Sequence, residues 1–212
     1  MIEATVSERA SYLLLGPVRG LLSEAPKLLE RLESFRPAAI GLGLSEEEAK
    51  GLRDYFTGAA AEPVVALSPH ELAEVRGLVR FGEIQVPNPS FAQAIAWADG
   101  RGVPLEAIDP SDDRYAEMFA EHIGYTELLR RTLRERRLSR RPPEVRTADE
   151  FSLAWAQATS ASGGSGRLAR AREEAVVAKA RSLGARYPRV ALVVDRERFP
   201  TLLAAFGPPA PA

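Results

Sequence analysis

The run VALVV at residues 190–194 decides the fold class, because consecutive apolar residues without polar alternation are typical of a strand buried on both faces. Segments of helical period separate this run from four similar ones. Strand and helix in alternation predict right-handed βαβ units, and therefore a three-layer α/β fold with a mainly parallel, twisted sheet flanked by helices. The other runs are residues 12–15 (YLLL), 40–44 (IGLGL), 64–67 (VVAL) and 105–108 (LEAI).

One stretch interrupts the alternation. Residues 111–159 have the pattern of successive helices, which predicts an α-helical insertion that either packs on the sheet or caps its edge. Residues 159–166 (TSASGGSG) have the composition of a flexible loop, and residues 207–212 (GPPAPA) that of a disordered tail. We therefore expect one domain over residues 1–206.

Composition excludes several classes of protein. The chain has 212 residues, of which 45% are hydrophobic and 27% charged, and its net charge is -1, as in an ordinary globular protein. No apolar run approaches the ~20 residues of a membrane span, and the first residues, MIEATVSERA, do not resemble a signal peptide. We therefore expect a soluble, cytoplasmic protein without a membrane partner. The absence of cysteine excludes disulfides and thiolate sites, and with two histidines we expect no metal and no cofactor.

Charged side chains follow the predicted strands at their carboxyl ends, where ligands bind in parallel α/β sheets. Arg19 follows the first run, Asp109 the fourth, and Asp195 and Arg198 the last. Together they predict a cleft of mixed charge. A structural alternative stays open, in which these side chains cap helices and pair with one another.

The densest charge lies between Arg130 and Arg141, where RRTLRERRLSRR holds seven arginines and one glutamate. Such a segment either contacts phosphates or forms a solvated helix face. Without interleaved aromatic residues, nucleic-acid binding is the less favoured interpretation. The same insertion is a plausible surface for a homodimer, since arginine-rich helices often bind acidic partners.

Three ordered fragments resemble the TraB/PrgY family, within the wider group of GumN, Tiki and ChaN/erythromycin-esterase-like domains. Residues 13–52 (LLLGPVRGLLSEAPKLLERLESFRPAAIGLGLSEEEAKGL) are similar to the family's opening strand, G-x-x-H turn, helix and glutamate-bearing strand. Residues 91–119 (FAQAIAWADGRGVPLEAIDPSDDRYAEMF) and 169–206 (ARAREEAVVAKARSLGARYPRVALVVDRERFPTLLAAF) are similar to its later motifs, the last of which contains a second G-x-x-H.

The resemblance implies a metal or acid–base site formed by the two histidines and the glutamate, but this chain replaces all three. The histidine positions align with Arg19 and Arg198, and the glutamate position aligns with Gly43. A guanidinium neither binds a cation nor accepts a proton near neutral pH. The resemblance thus implies a degenerate, TraB-like fold that carries no metal at the family site and lacks the family's catalytic groups.

Three functions remain open. The first is a non-catalytic protein that binds a partner or a small anion, with Arg19, Arg198, Asp109 and Asp195 as the ligand-binding residues and no catalytic residue. The second is a peptidase- or esterase-like hydrolase with relocated chemistry, in which Asp109, Asp195 or Glu197 acts as acid or base. The third is nucleic-acid binding through the arginine segment.

Overall fold

The structure, a computed structural model, describes residues 1–7, 10–59, 69–160 and 163–207. Its five-stranded sheet has the order β1-β2-β5-β3-β4, and all pairs except β1–β2 are parallel. The strands are β1 (Ile2–Ser7), β2 (Ser11–Gly16), β3 (Ala39–Leu42), β4 (Leu105–Ala107) and β5 (Arg189–Val193). The helices are α1 (Ala25–Phe35), α2 (Glu46–Thr57), α3 (Pro69–Leu78), α4 (Pro89–Arg101), α5 (Asp112–His122), α6 (Tyr125–Arg140), α7 (Ala148–Thr159), α8 (Gly163–Arg186) and α9 (Phe199–Phe206).

The predicted α/β class with a mainly parallel sheet is confirmed. Four of the five apolar runs coincide with β2, β3, β4 and β5, while residues 64–67 lie outside the described part of the chain. Sequence analysis missed β1, which forms an antiparallel hairpin with β2 at one edge of the sheet. The sequence of β1 alternates apolar and polar residues, unlike the continuous apolar runs of the other strands. In the structure Ile2, Ala4 and Val6 are half-buried whereas Glu3 and Thr5 are exposed, which is typical of an edge strand.

Helices cover both faces of the sheet, as the apolar runs require. Leu13 and Leu15 of β2 pack on one face with Leu28 and Leu32 of α1 and with residues of α4. Tyr12 and Leu14, which alternate with them, pack on the other face with residues of α8 and α9. The helices that follow the neighbouring strands β2 and β5 therefore leave the sheet on opposite sides.

The insertion at residues 111–159 is helical as predicted, and its described residues form α5, α6 and α7. It acts as a cap, because Phe151 and Trp155 of α7 pack with Leu78 of α3 against Val18 and Leu21, which follow β2. The turn after β5 is held to the same helix by an ion pair. There Arg196 Nε lies 2.7 Å from Asp149 Oδ1. The carboxyl edge of β2 and β5 is thus covered by α3 and α7.

The predicted flexible loop at residues 159–166 is wrong at both ends of its range, and residues 161–162 lie outside the described residues. Helix α7 extends to Thr159 and α8 already begins at Gly163, so residues 163–166 form the first turn of a helix. Glu127 of α6 explains this start, because its Oε1 accepts hydrogen bonds from Ser165 Oγ at 3.1 Å and from Ser165 N at 3.4 Å. A carboxylate there satisfies helix N-terminal amides. Of the predicted tail, residues 208–212 lie outside the described residues.

No helix in the described ranges combines the length and the apolar character that crossing a bilayer requires.

The contact between α3 and α7 generates a stability prediction. A Cβ atom at Gly77 would overlap the ring of the buried Phe151. We expect Gly77→Ala to lower the free energy of unfolding by about 1–3 kcal/mol, the usual effect of overpacking. Urea denaturation followed by circular dichroism measures the change.

Gly51 provides the matched control, because it also lies within a helix but has open space around its Cα. Gly51→Ala should leave stability unchanged or raise it by up to ~1 kcal/mol through helix propensity. Equal effects of the two substitutions would show that α7 does not pack closely on α3.

Candidate functional site

The ends of two neighbouring strands meet in an ion pair. Arg19 follows β2 and Asp195 follows β5, and the Arg19 Nη2 atom lies 2.7 Å from Asp195 Oδ2. Asn88, which caps the N-terminus of α4, also donates a hydrogen bond from Nδ2 to Asp195 Oδ1 at 3.4 Å. Because the helices after these two strands leave on opposite faces, the pair lies at a topological switch point, where parallel α/β sheets form ligand crevices.

Further carboxylates surround the same guanidinium. Glu71 Oε1 lies 3.5 Å from Arg19 Nη1, and Glu197 Oε1 lies 3.8 Å from Arg19 Nη2. Glu74, one helical turn after Glu71 on α3, is buried and raises the pKa of Arg19 through its charge. We call Glu71, Glu74, Asp195 and Glu197 the acidic cluster. Its four carboxyl groups exceed the single guanidinium that they share, and the Arg19 side chain is 33% exposed, so solvent reaches the cluster.

Burial changes the protonation of this cluster. Desolvation raises the pKa of Glu74 to about 8, with Glu197 and Asp195 adding to the rise and Arg19 opposing it. Desolvation and the charge of Asp195 also raise the pKa of Glu197. The negative charge of Asp195 raises the pKa of Arg19, so the guanidinium stays protonated. Carboxyl groups with raised pKa values therefore lie in the same cluster as Asp195, which is paired with Arg19.

A second group of charges surrounds Asp109. Asp109, which is 1% exposed, follows β4 and binds Arg172 of α8 through both oxygens, with Arg172 Nε 2.8 Å from Oδ1. Arg198 Nη1 lies 2.8 Å from Asp109 Oδ2, and Lys179 Nζ donates to the Asp109 backbone oxygen at 2.7 Å. We call Arg172, Lys179 and Arg198 the basic cluster. Arg172 and Arg198 contact the Asp109 carboxylate, and Glu48 and Glu47 interact electrostatically with Arg172 and Lys179 respectively.

The four residues predicted to bind a ligand form two separate ion pairs, one at each cluster. Arg19 pairs with Asp195 and Arg198 pairs with Asp109, so each guanidinium already has an internal carboxylate. These contacts match the alternative left open by the sequence, in which the charged residues after the strands pair with one another. Anion binding by the four residues stays a prediction.

Within the described ranges, no three or more side chains of His, Cys, Asp or Glu are grouped as metal ligands.

Sequence reasoning missed several residues of these clusters. Glu71 had a signal, because it lies in the first turn of a helix that follows a predicted strand. Glu74, Arg172 and Lys179 had none, since each lies inside a helix and reaches its cluster only through packing.

The arginine segment lies on α6, and part of it is paired. Arg131 Nε lies 2.9 Å from Glu135 Oε1, and Arg134 Nη1 donates to the Thr159 backbone oxygen at 3.3 Å. Arg130, Arg136 and Arg140 are exposed.

The comparisons with known proteins assign no family. No protein-family model matches the chain, and no curated protein matches it significantly.

The raised pKa of Glu74 predicts how stability depends on pH. An unfolded glutamate ionises near pH 4.5, whereas Glu74 in the fold keeps its proton up to about pH 8. The native state therefore binds more protons across this interval, and stability falls as the pH rises through it. Glu74→Gln should flatten this fall and stabilise the protein by a few kcal/mol at pH 8, as measured by urea denaturation at several pH values.

Glu117→Gln is the control, because Glu117 is an exposed residue of α5 outside the cluster. It should leave the slope unchanged. A Glu74→Gln variant with the wild-type slope, or with lower stability at pH 8, would mean that Glu74 is ionised in the fold.

Proposed function

We propose that the protein hydrolyses an ester or amide bond by acid–base catalysis in the acidic cluster. The observation that carries the proposal is the position of Asp195 and Glu197 around Arg19 at the carboxyl edge of the sheet, with Arg19 Nη2 2.7 Å and 3.8 Å from their respective oxygens. Carboxyl groups whose environments separate their pKa values supply the base and the acid that hydrolysis requires.

The two carboxyl groups would have different roles. Asp195 is paired with Arg19 and would accept a proton from the attacking water. Glu197 has a raised pKa, and its Oε2 atom lacks a hydrogen-bond partner among the described residues, so it would donate a proton to the leaving oxygen or nitrogen. Arg19, one-third exposed, would stabilise the oxyanion that forms on the substrate carbonyl.

This assignment differs from the one that a TraB-like fold implies. The histidine and glutamate positions of that motif hold Arg19, Arg198 and Gly43, which cannot perform its chemistry. The proposed acid and base are instead two residues of the turn after β5. The resemblance therefore contributes the fold to the proposal, and the chemistry rests on the acidic cluster.

The test is a hydrolysis assay of the purified protein on p-nitrophenyl esters and fluorogenic peptides over a range of pH. We expect activity to fall as the pH rises and Glu197 loses its proton. Asp195→Asn and Glu197→Gln should each lower kcat by about 10²–10⁴-fold, the usual contribution of an acid or base.

Glu106→Gln is the matched control, because Glu106 pairs with Arg186 on the exposed edge strand β4. It should retain wild-type activity. The proposal fails if none of the esters or peptides is cleaved, or if Asp195→Asn and Glu197→Gln keep full activity.

Anion binding is a second candidate, and the basic cluster favours it. Two guanidiniums and one ammonium surround Asp109, and the Arg172 side chain is 33% exposed. Guanidiniums bind phosphate and carboxylate through paired hydrogen bonds, so an added anion could replace part of the contact with Asp109.

Phosphate is the probe for this site. If Arg172 binds it, saturating phosphate should raise the melting temperature by several degrees, since a ligand at 100 times its Kd stabilises by about 2.7 kcal/mol. The increase should disappear in Arg172→Gln and persist in Arg186→Gln, a change at another paired arginine of α8. An equal increase in both variants would mean that phosphate acts through general ionic effects.

A further inference from the structure

Helix α6 presents an unusual concentration of exposed apolar side chains. Among the described residues, eight large hydrophobic side chains are exposed, and Tyr125, Leu128, Leu129 and Leu133 are four of them. Tyr125 is 84% exposed, Leu129 55% and Leu133 57%. Their spacing of four residues places these three side chains in one line along the helix. Contiguous exposed apolar patches usually mark a binding surface.

The packing of α6 fixes the direction of this line. Glu127 on the opposite side is buried and binds Ser165 of α8, and Leu138 packs beside the core around Phe151 and Trp155. These contacts hold the inner side of α6 against α7 and α8. We call the line from Tyr125 through Leu129, Leu133, Arg136 and Arg140 the outer face of α6.

The second half of the outer face is cationic. Arg136 and Arg140 continue the line at helical spacing, and Arg130 and Arg137 flank it. All four are exposed, and no carboxylate of the described residues lies within 4.0 Å of them. The two glutamates of α6 do not compensate, because Glu127 is buried and Glu135 pairs with Arg131.

These charges decide which kind of partner fits. A second copy docking antiparallel through the same face would place the arginines of each chain against the apolar half of the other, where the face offers no carboxylate. A nucleic acid would match the arginines but would leave Leu129 and Leu133 in water. An anionic phospholipid surface matches both halves, since its phosphates accept paired hydrogen bonds from guanidiniums and its acyl boundary receives leucine and tyrosine side chains.

We propose that the outer face of α6 binds the surface of an anionic phospholipid membrane. The helix would lie parallel to the bilayer, with Tyr125, Leu129 and Leu133 at the boundary between headgroups and acyl chains and Arg136 and Arg140 on the phosphates. Such a contact would be peripheral, so it requires no membrane-spanning helix. The outer face of α6 shares no residue with the acidic cluster, so the membrane proposal and the hydrolase proposal are tested separately.

The test is cosedimentation of the full chain with two kinds of vesicle, one of phosphatidylcholine alone and one of phosphatidylcholine mixed equally with phosphatidylglycerol. We expect binding to the anionic vesicles only, weakened by added salt. Each arginine near an anionic surface contributes about 1 kcal/mol, so Arg136→Gln with Arg140→Gln should weaken binding by roughly tenfold to thirtyfold. Leu129→Gln with Leu133→Gln should weaken it as well, because it removes the apolar contact.

Two control variants match these changes elsewhere on the surface. Arg167→Gln with Arg170→Gln removes the same charge from exposed positions of α8, and Phe56→Gln removes an exposed apolar side chain from α2. Both should bind like the wild type. Circular dichroism of every variant, measured without vesicles, verifies that the fold is retained.

Several outcomes would overturn the proposal. These are failure to bind anionic vesicles, equal binding to both vesicle types, and equal losses in the α8 control. A concentration-dependent dimer in analytical ultracentrifugation that Leu129→Gln with Leu133→Gln dissociates would assign the outer face to a second copy. Salt-sensitive binding of DNA or RNA without vesicle binding would assign it to nucleic acid.

Discussion

The contact between Arg19 and Asp195 joins two turns that the sheet brings side by side. Strands β2 and β5 are parallel neighbours, and the helices that follow them diverge to opposite faces, so their carboxyl ends form a topological switch point beneath α3 and α7. The ion pair closes this edge at 2.7 Å, and the same guanidinium holds Glu71 and Glu197 nearby. Without Arg19 the acidic cluster would consist of uncompensated carboxyl groups.

The turn after β5 links the acidic and basic clusters. Asp195 and Glu197 face Arg19, whereas Arg198, in the same turn, reaches Asp109 at the end of β4. The turn therefore places negative charge toward β2 and positive charge toward β4. This separation supports two different chemistries at one edge of the sheet. We propose proton transfer for the acidic cluster, where burial raises pKa values, and anion recognition for the basic cluster, where two guanidiniums contact Asp109.

Much of the fold could be predicted because its signals are local. A short apolar run has to be buried on both faces, and Ser45 followed by Glu48 forms the capping box that begins α2 in the structure. The failures occurred where a distant contact determines the local structure. The glycines at residues 163–166 favour a loop by composition, yet Glu127 on another helix stabilises a helical turn there. The β1 strand was missed because its alternating pattern differs from that of the central strands.

The sequence by itself determined the fold class and the strands after which Arg19, Asp109, Asp195 and Arg198 occur. Only the tertiary structure decided which charges meet. Strand β5 is last in the chain but lies between β2 and β3, so Asp195 pairs with the first of these turns. The raised pKa of Glu74 likewise depends on its burial beside Arg19. Strand order and burial arise from the packing of distant segments, and for this reason no local pattern specifies them.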